Sequence, residues 1–524
     1  MKIYDTTLRD GAQCSDVNLS VDDKLRIFDQ LVDIGIHYIE GGWPGANPKD
    51  DEFFEKIKSQ KIKIKGSKLS AFGCTRRSGQ KAEEDILLKA LVKSGTPVIT
   101  VFGKTWDLHV SEALHVSLSE NLEMIFDSIQ YLKKHADEVF FDAEHFFDGY
   151  KANPKYALKV LKIAEQAGAD CLVLCDTNGG TLPFTIAEIL DILKGDLTAD
   201  IGLHMHNDSE SAVANCLIGA EKGVDQIQGT INGIGERCGN ANLISVIANL
   251  ELKMGIKCLP NGNLKKLKKL SGFVSEACNM AHFRRQPYVG SHAFAHKGGI
   301  HVSAVAKNPV TYEHVNPFLV GNNRKILVSD QAGKSNILDK TEAFGIKFDK
   351  KDSRVKKILE EVKILEHQGY AFEDAEASFD ILVKKLTGKY KPSFELLSFN
   401  VTDYINPDDD KKPYSEATIR IKVGKKEYHT AALGSGPVNA LDNALRKALL
   451  EFYPQLKKVK LLDYKVRVLP VTDIEATDSV VRVWIETTDG KEKWGTVGVS
   501  QNIIHASWEA LVDSLEYYLA RGKI

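Results

Sequence analysis

One junction recurs in the first 250 or so residues and constrains the fold more than anything else: a helical stretch, a glycine, then a strand-like run. Gly35 leads into Ile36–Glu40, Leu91-Val-Lys-Ser-Gly95 into Pro97–Phe102, Ala164-Glu-Gln-Ala-Gly168 into Asp170–Cys175, and Ala220-Glu-Lys-Gly223 into Val224–Gly229. Glycine ends helices because it takes the left-handed conformation without a Cβ clash. Lys2-Ile-Tyr4, Ile62–Leu69, Glu138–Asp142 and Ile201–His204 complete a set of eight strand candidates. Strands alternating with helices imply a parallel sheet, and eight such units in this length match a (β/α)8 TIM barrel. A doubly wound open sheet is the competing fold. It calls for a Gly-rich dinucleotide loop after the first strand, and Asp5-Thr-Thr-Leu-Arg-Asp-Gly-Ala-Gln13 is not one. Ser20 with Asp23 reads as a capping box opening the first helix, whose apolar stripe is Leu25, Phe28, Leu31 and Val32.

A barrel places its active site where the strands end at their C-terminal face. The polar residues there are Arg9 and Asp10, Glu40, Asp142 and Glu144, Asp176 and Thr177, His204 and His206, and the loop Asn232 to Asn240. His204 and His206 stand two apart, so in a strand their side chains share a face. Asp10, His204, His206 and Asn240 together make a mixed nitrogen and oxygen donor set suited to a divalent metal, Mg, Mn or Zn.

The whole chain excludes several alternatives. Its 524 residues allow about two to four domains. A formal net charge of −2 gives no support to nucleic-acid or anionic-membrane binding, and no apolar run is long enough to span a membrane. The chain enters strand-like sequence at Lys2 with no signal peptide, and its eight cysteines have no framework spacing, so a reduced, cytoplasmic protein is expected.

Three segments carry a resemblance to a known family: Leu8-Arg-Asp-Gly-Ala-Gln13, Leu203-His-Met-His-Asn-Asp208 and Gly229-Thr-Ile-Asn-Gly-Ile-Gly-Glu-Arg-Cys-Gly-Asn240. In order and spacing they resemble the signature segments of the 2-isopropylmalate, homocitrate and citramalate synthases. Glu40-Gly-Gly-Trp-Pro-Gly-Ala-Asn-Pro-Lys-Asp50 looks like the long form of the citramalate branch. The resemblance implies a Claisen-type condensation of acetyl-CoA with a 2-keto acid, here pyruvate. By residue it implies metal ligation by Asp10, His204, His206 and Asn240, and Arg9 as the cation that stabilises the alkoxide. It further implies Glu144 as the active-site acid, Thr177 as a contact to the substrate carboxylate, and Asp142 beside the keto-acid pocket. His301 fits the catalytic base and Tyr312 its companion, both supplied by the partner subunit of a homodimer. The alternatives are 2-oxoisovalerate as acceptor, or a related metal-dependent acyl-CoA lyase.

Beyond the barrel, taken as 1–259, the sequence reads as helical linker subdomains at 260–387 and a C-terminal regulatory or dimerisation domain at 388–524. Leu264, Leu267, Leu270 and Val274 fall at helical spacing and read as packing. His292, His296 and His301 are not read as a second metal site, because no acidic or cysteine partner lies beside them in the sequence. Phe394–Val401 and Ala417–Val423 alternate as strands before a helix opened by Gly434-Ser-Gly-Pro. Tyr464–Val468 and Val480–Ile485 repeat the pattern before a helix carrying Ile504, Trp508, Leu511, Leu515 and Leu519. Two copies of a strands-then-helix unit predict a pseudo-symmetric α+β domain. It resembles the family's regulatory domain, which implies isoleucine as effector; a dimerisation domain that binds nothing is the alternative.

Overall fold

The computed structural model describes residues 1–60, 64, 66–349, 351–405, 412–469 and 479–521. The first part is a closed barrel of eight parallel strands in chain order: β1 (Lys2–Asp5), β2 (Tyr38–Gly42), β3 (Lys68–Cys74), β4 (Val98–Lys104), β5 (Glu138–Glu144), β6 (Cys171–Asp176), β7 (Asp200–Met205) and β8 (Gln226–Gly229). β1 closes the sheet by pairing Lys2 to Asp5 with Gln226 to Gly229. The recurring glycines behave as expected: Gly35, Gly95, Gly168 and Gly223 all hold positive φ, between 69° and 99°. At Gly35 the backbone N–H returns to the carbonyls of Leu31 and Val32 and turns the chain straight into β2. Ser20 and Asp23 form the reciprocal capping box.

One strand is displaced from its expected place. The third strand is expected at Ile62–Leu69 but runs Lys68–Cys74; residues 62, 63 and 65 of the expected run lie outside the described residues. The expectation rested on the alternation of Ile62-Lys-Ile-Lys. The true strand, Leu69-Ser-Ala-Phe-Gly, is buried on both faces and so lacks alternation.

The barrel interior is filled by side chains. Tyr4, Tyr38, Val98, Phe140, Cys171, Val173 and Cys175 form one buried cluster. The Tyr4 hydroxyl donates to Glu40 Oε2 at 2.7 Å. A larger apolar layer lies between strands and helices and extends to Leu264, Leu267, Leu270 and Val274, which are packing residues as expected.

The chain divides into two compact units, residues 1–294 with 315–323, and residues 295–314 with 324–524. The second unit contains two three-stranded antiparallel sheets, Glu395–Tyr404, Tyr414–Val423, Lys426–Gly434 and Lys460–Leu469, Val480–Thr488, Lys493–Ser500. Helices Pro437–Leu449 and Ile503–Arg521 follow them, one to each copy. The copies are therefore three strands and a helix, not two. The third strands escape the alternation test for opposite reasons. Lys426-Glu-Tyr-His-Thr is a polar edge, and Trp494-Gly-Thr-Val-Gly498 is buried throughout. One face of the second sheet, with Trp484, Val497 and Val499, shares a core with helices Ser353–His367 and Glu376–Leu386. Among the described residues no helix is long and apolar enough to cross a membrane.

Candidate active site

A cavity of about 210 Å³ opens at the C-terminal ends of the barrel strands, lined among others by Arg9, Asp10, Asp142, Glu144, Thr177, His204 and His206. Seven of the sequence-predicted site residues thus meet in one place. Asn240 joins them from the loop after β8. His206 bridges Asn240 across the end of β7, and Ala241 N–H bonds Met205 O at 2.8 Å. The loop can lie this close because Gly235 has no side chain: a Cβ there would sit 1.9 Å from Asn240 Oδ1.

The donor set is dense and buried. Ligand atoms of Asp10, His204 and His206 all fall within 4.8 Å of one another. His204 Nε2 lies 3.1 Å from Asp10 Oδ2, His206 Nε2 4.0 Å from it, and Asn240 Nδ2 donates to the same oxygen at 2.8 Å. One carboxylate oxygen thus collects the contacts that a cation would otherwise satisfy. On the far side of His204, Nδ1 lies 2.9 Å from Gln228 Oε1. An amide oxygen can only accept, so this contact puts the proton on Nδ1 and turns Nε2 toward Asp10, the arrangement by which an outer residue orients a metal-ligating histidine. Asn240 Oδ1 and His206 Nδ1 are buried without a partner among the described residues. A rotation of the Asn240 amide exchanges its oxygen and nitrogen and turns an acceptor toward the cluster. Burial, and then the neighbouring His204, lower the His206 pKa to about 4, so its ring is neutral and a competent ligand near pH 7. Burial opposes a carboxylate at Asp10, but Arg9 and the two histidines hold its pKa far below the ordinary range. The residues fit a divalent cation.

Arg9 is fixed on three sides. Nε donates to Glu40 Oε1 at 2.6 Å, the guanidinium lies 3.7 Å over the Phe72 ring, and Nη1 is 3.8 Å from Asp10 Oδ2. Burial disfavours its charge; Glu40 and Asp10 outweigh burial and raise its pKa. Glu144, at the end of β5, is paired with Lys104 at the end of β4. Asp142 is buried, and burial lifts its pKa to about 7. Trp43, Phe72 and Phe102 form an aromatic wall with ring centroids 5.5 to 5.8 Å apart. Burial pushes the Cys175 thiol well up, which leaves it unreactive.

His301 and Tyr312 belong to the second unit. Their rings lie 4.2 Å apart and both residues are exposed. His296, read from sequence as lacking an acidic neighbour, has one in space: its Nε2 lies 3.2 Å from Glu313 Oε1, and Arg324 Nε donates to the same oxygen at 2.6 Å. Sequence reasoning missed Lys104, Gln228 and the aromatic wall. Lys104 was findable as the polar end of β4, and Gln228 as the inward-facing polar residue of Gln226-Ile-Gln228.

Fold and site together define a (β/α)8-barrel enzyme with a candidate divalent-cation centre at the mouth of the barrel. Residues 1–274 match the HMGL-like family, 288–370 the homocitrate synthase post-HMGL domain-like family, and 373–519 the LeuA allosteric (dimerisation) domain. The (R)-citramalate synthase of Geobacter sulfurreducens is 57% identical, covering 100% of this chain and 98% of its own. That of Aquifex aeolicus is 56% identical over 99% and 98%. The 2-isopropylmalate synthase of Methanocaldococcus jannaschii is 31% identical over 99% and 95%. The chain belongs to the family of the (R)-citramalate, 2-isopropylmalate and homocitrate synthases, and it is an acyltransferase.

Proposed function

We propose that the chain is an (R)-citramalate synthase, condensing acetyl-CoA with pyruvate to give citramalate and CoA. The observation that carries this reading is that its identity to citramalate synthases exceeds, along the full chain, its identity to a 2-isopropylmalate synthase. The aromatic-walled cavity of about 210 Å³ suits a small keto acid.

Asp10, His204 and His206, with Asn240, would hold a divalent cation, which would polarise the keto carbonyl of pyruvate as a Lewis acid. Thr177 donates its hydroxyl to the keto-acid carboxylate, and Asp142 flanks the acceptor. His301 of the partner subunit, with the partner's Tyr312 beside it, takes a methyl proton from the acetyl thioester. The enolate carbon bonds to C2 of pyruvate, and the C2=O electron pair moves onto oxygen. Arg9, already held by Glu40 and Phe72, faces that developing alkoxide without having to reorganise. The alkoxide takes up a proton, and water then cleaves the thioester to release CoA, with Glu144 orienting the water or moving its proton.

The reading extends to a homodimer with a catalytic part at 1–259, linking subdomains at 260–387 and a regulatory part at 388–524, working in the cytoplasm on the threonine-independent route to isoleucine. Isoleucine is its proposed effector. The test is a panel of 2-keto acids with acetyl-CoA and Mg or Mn, followed as free thiol, with and without isoleucine. Pyruvate is expected to give the highest kcat/KM, and isoleucine to lower the rate. A higher kcat/KM for 2-oxoisovalerate moves the reading to 2-isopropylmalate synthase, and for 2-oxoglutarate to homocitrate synthase. A rate indifferent to isoleucine removes the effector.

A further inference from the structure

Eight non-glycine residues among those described hold a positive φ, and two of them grip Thr177. His145, at φ 55°, directs its backbone N–H onto Thr177 Oγ1 at 2.9 Å. Arg237, at φ 54°, donates from Nη2 to the Thr177 carbonyl at 2.7 Å while Nε and Nη2 hold both carboxylate oxygens of Asp208. A left-handed backbone is disfavoured for residues with a Cβ, and it persists where surrounding contacts over-determine it. Around His145 those contacts are plain. Its Nδ1 lies 3.1 Å from Asp148 Oδ2, which also accepts from Asn178 Nδ2 at 2.9 Å. Its ring centroid is 4.2 Å from that of His109, which in turn stacks on Trp106 at 5.2 Å. The loops after β4, β5 and β6 are laced together beside Thr177.

A threonine hydroxyl has one hydrogen to donate and two lone pairs. The His145 N–H occupies a lone pair, and the hydroxyl hydrogen meets no acceptor among the described residues, although Thr177 lines the cavity. We infer that His145 is a positioning residue, whose left-handed backbone aims the Thr177 hydroxyl into the cavity as a donor to the acceptor's carboxylate. This rests on the carboxylate contact proposed for Thr177. It gives a reason for a histidine directly after Glu144: Asn, Asp and His are the non-glycine residues enriched in that backbone region.

The test varies pyruvate at saturating acetyl-CoA. His145→Gly removes the ring and keeps the backbone conformation accessible; His145→Asn does so with a different side chain. His145→Val disfavours that conformation, and His145→Ala does so more mildly should the valine variant fold poorly. The glycine and asparagine variants are expected to hold KM for pyruvate within about threefold of the parent. The valine (or alanine) variant is expected to raise it about tenfold with kcat nearly unchanged, the size of a lost hydrogen bond to a charged group. Thr177→Val is expected to raise KM similarly, and adding His145→Val to it to cost less than about twofold more, the non-additivity of coupled neighbours. Additive effects, or a glycine variant as impaired as the valine one, overturn the positioning role. An unchanged KM in Thr177→Val overturns instead the carboxylate contact on which it rests.

Discussion

Two cavities in this molecule invite comparison, and the larger is the poorer candidate for chemistry. The barrel cavity measures about 210 Å³ and the one in the second unit about 310 Å³, bounded by Tyr370, Phe372, Leu382, Val497, Trp508 and Val512 among others. In the second, polar groups satisfy one another. Glu509 Oε2 accepts from the Tyr370 hydroxyl at 3.0 Å and from the Val499 N–H at 3.1 Å, Ser378 Oγ accepts from the Val497 N–H at 3.0 Å, and Lys385 faces Asp513 at 3.7 Å. None of its buried side-chain polar atoms is without a partner among the described residues. At the barrel mouth the opposite holds. Asn240 Oδ1, His206 Nδ1 and Trp43 Nε1 are buried and unpartnered, and left-handed residues converge on Thr177. Buried polar atoms ordinarily find partners, and here three without one gather beside the candidate cation ligands at a single cavity. Unsatisfied, convergent atoms identify the site; volume does not.

Arg9→Ala breaks this comparison most sharply. If Arg9 faces the alkoxide as proposed, removing this fixed cation is expected to lower kcat by at least about 10³-fold, read as thiol release. It also strands Glu40, which is fully buried, at a cost of about 3–5 kcal/mol in unfolding free energy. The double variant Arg9→Met with Glu40→Gln separates the two effects: stability should largely return in a denaturant titration, and activity should not. Recovery of turnover in the double variant would falsify the alkoxide role.

Gln228→Met tests the geometry behind the cation site with a smaller expected effect. The variant keeps volume but removes the acceptor for His204 Nδ1–H. Outer residues of this kind are worth about 10–100-fold in metal affinity. Calorimetric titration with Mn should show that weakening, and an unchanged affinity would mean that His204 does not need its tautomer fixed. The corresponding change beside the second cavity, Ser378→Ala, should leave Mn affinity where it was.

The barrel was legible because its signals are local. A glycine that must be left-handed ends each repeating helix, and a strand follows within two or three residues, at Gly35, Gly95, Gly168 and Gly223 alike. The histidine pair, His204 on β7 and His206 just past its end, was legible for the same reason. Pairings that join residues far apart were not: Glu40 under Arg9, Lys104 on Glu144, and Gln228 behind His204 depend on register across neighbouring strands or across the barrel. The third strand of the second C-terminal copy failed for another reason. Alternation is a property of half-buried strands, and Trp494 to Gly498 is buried on both faces. Asp142 was legible as a polar residue at the end of β5, but not the burial that lifts its carboxyl to about 7.

The smallest expected effect lies at the second cavity and concerns stability alone. Burial lifts the Asp513 pKa to about 6 against the opposing pull of Lys385, from an ordinary value of 3.8. The folded chain therefore keeps a proton there that the unfolded chain has already lost between about pH 4 and pH 6. With more protons bound in the folded state, stability falls as pH rises through that window and then levels off above it. Two pKa units correspond to about 2–3 kcal/mol at most. Asp513→Asn removes the titration, so the variant should gain on the parent by up to that amount between pH 4 and pH 7 in denaturant titrations of the second unit's transition. The sign of that gain, not its size, is the test. Turnover with pyruvate should stay within about twofold of the parent at every pH, because a cavity whose polar groups answer only to each other has no part in the barrel's chemistry. A pH-independent difference would mean that Lys385 cancels burial and leaves Asp513 at its ordinary value, and a parent that gains on the variant as pH rises would mean that Lys385, not burial, governs it.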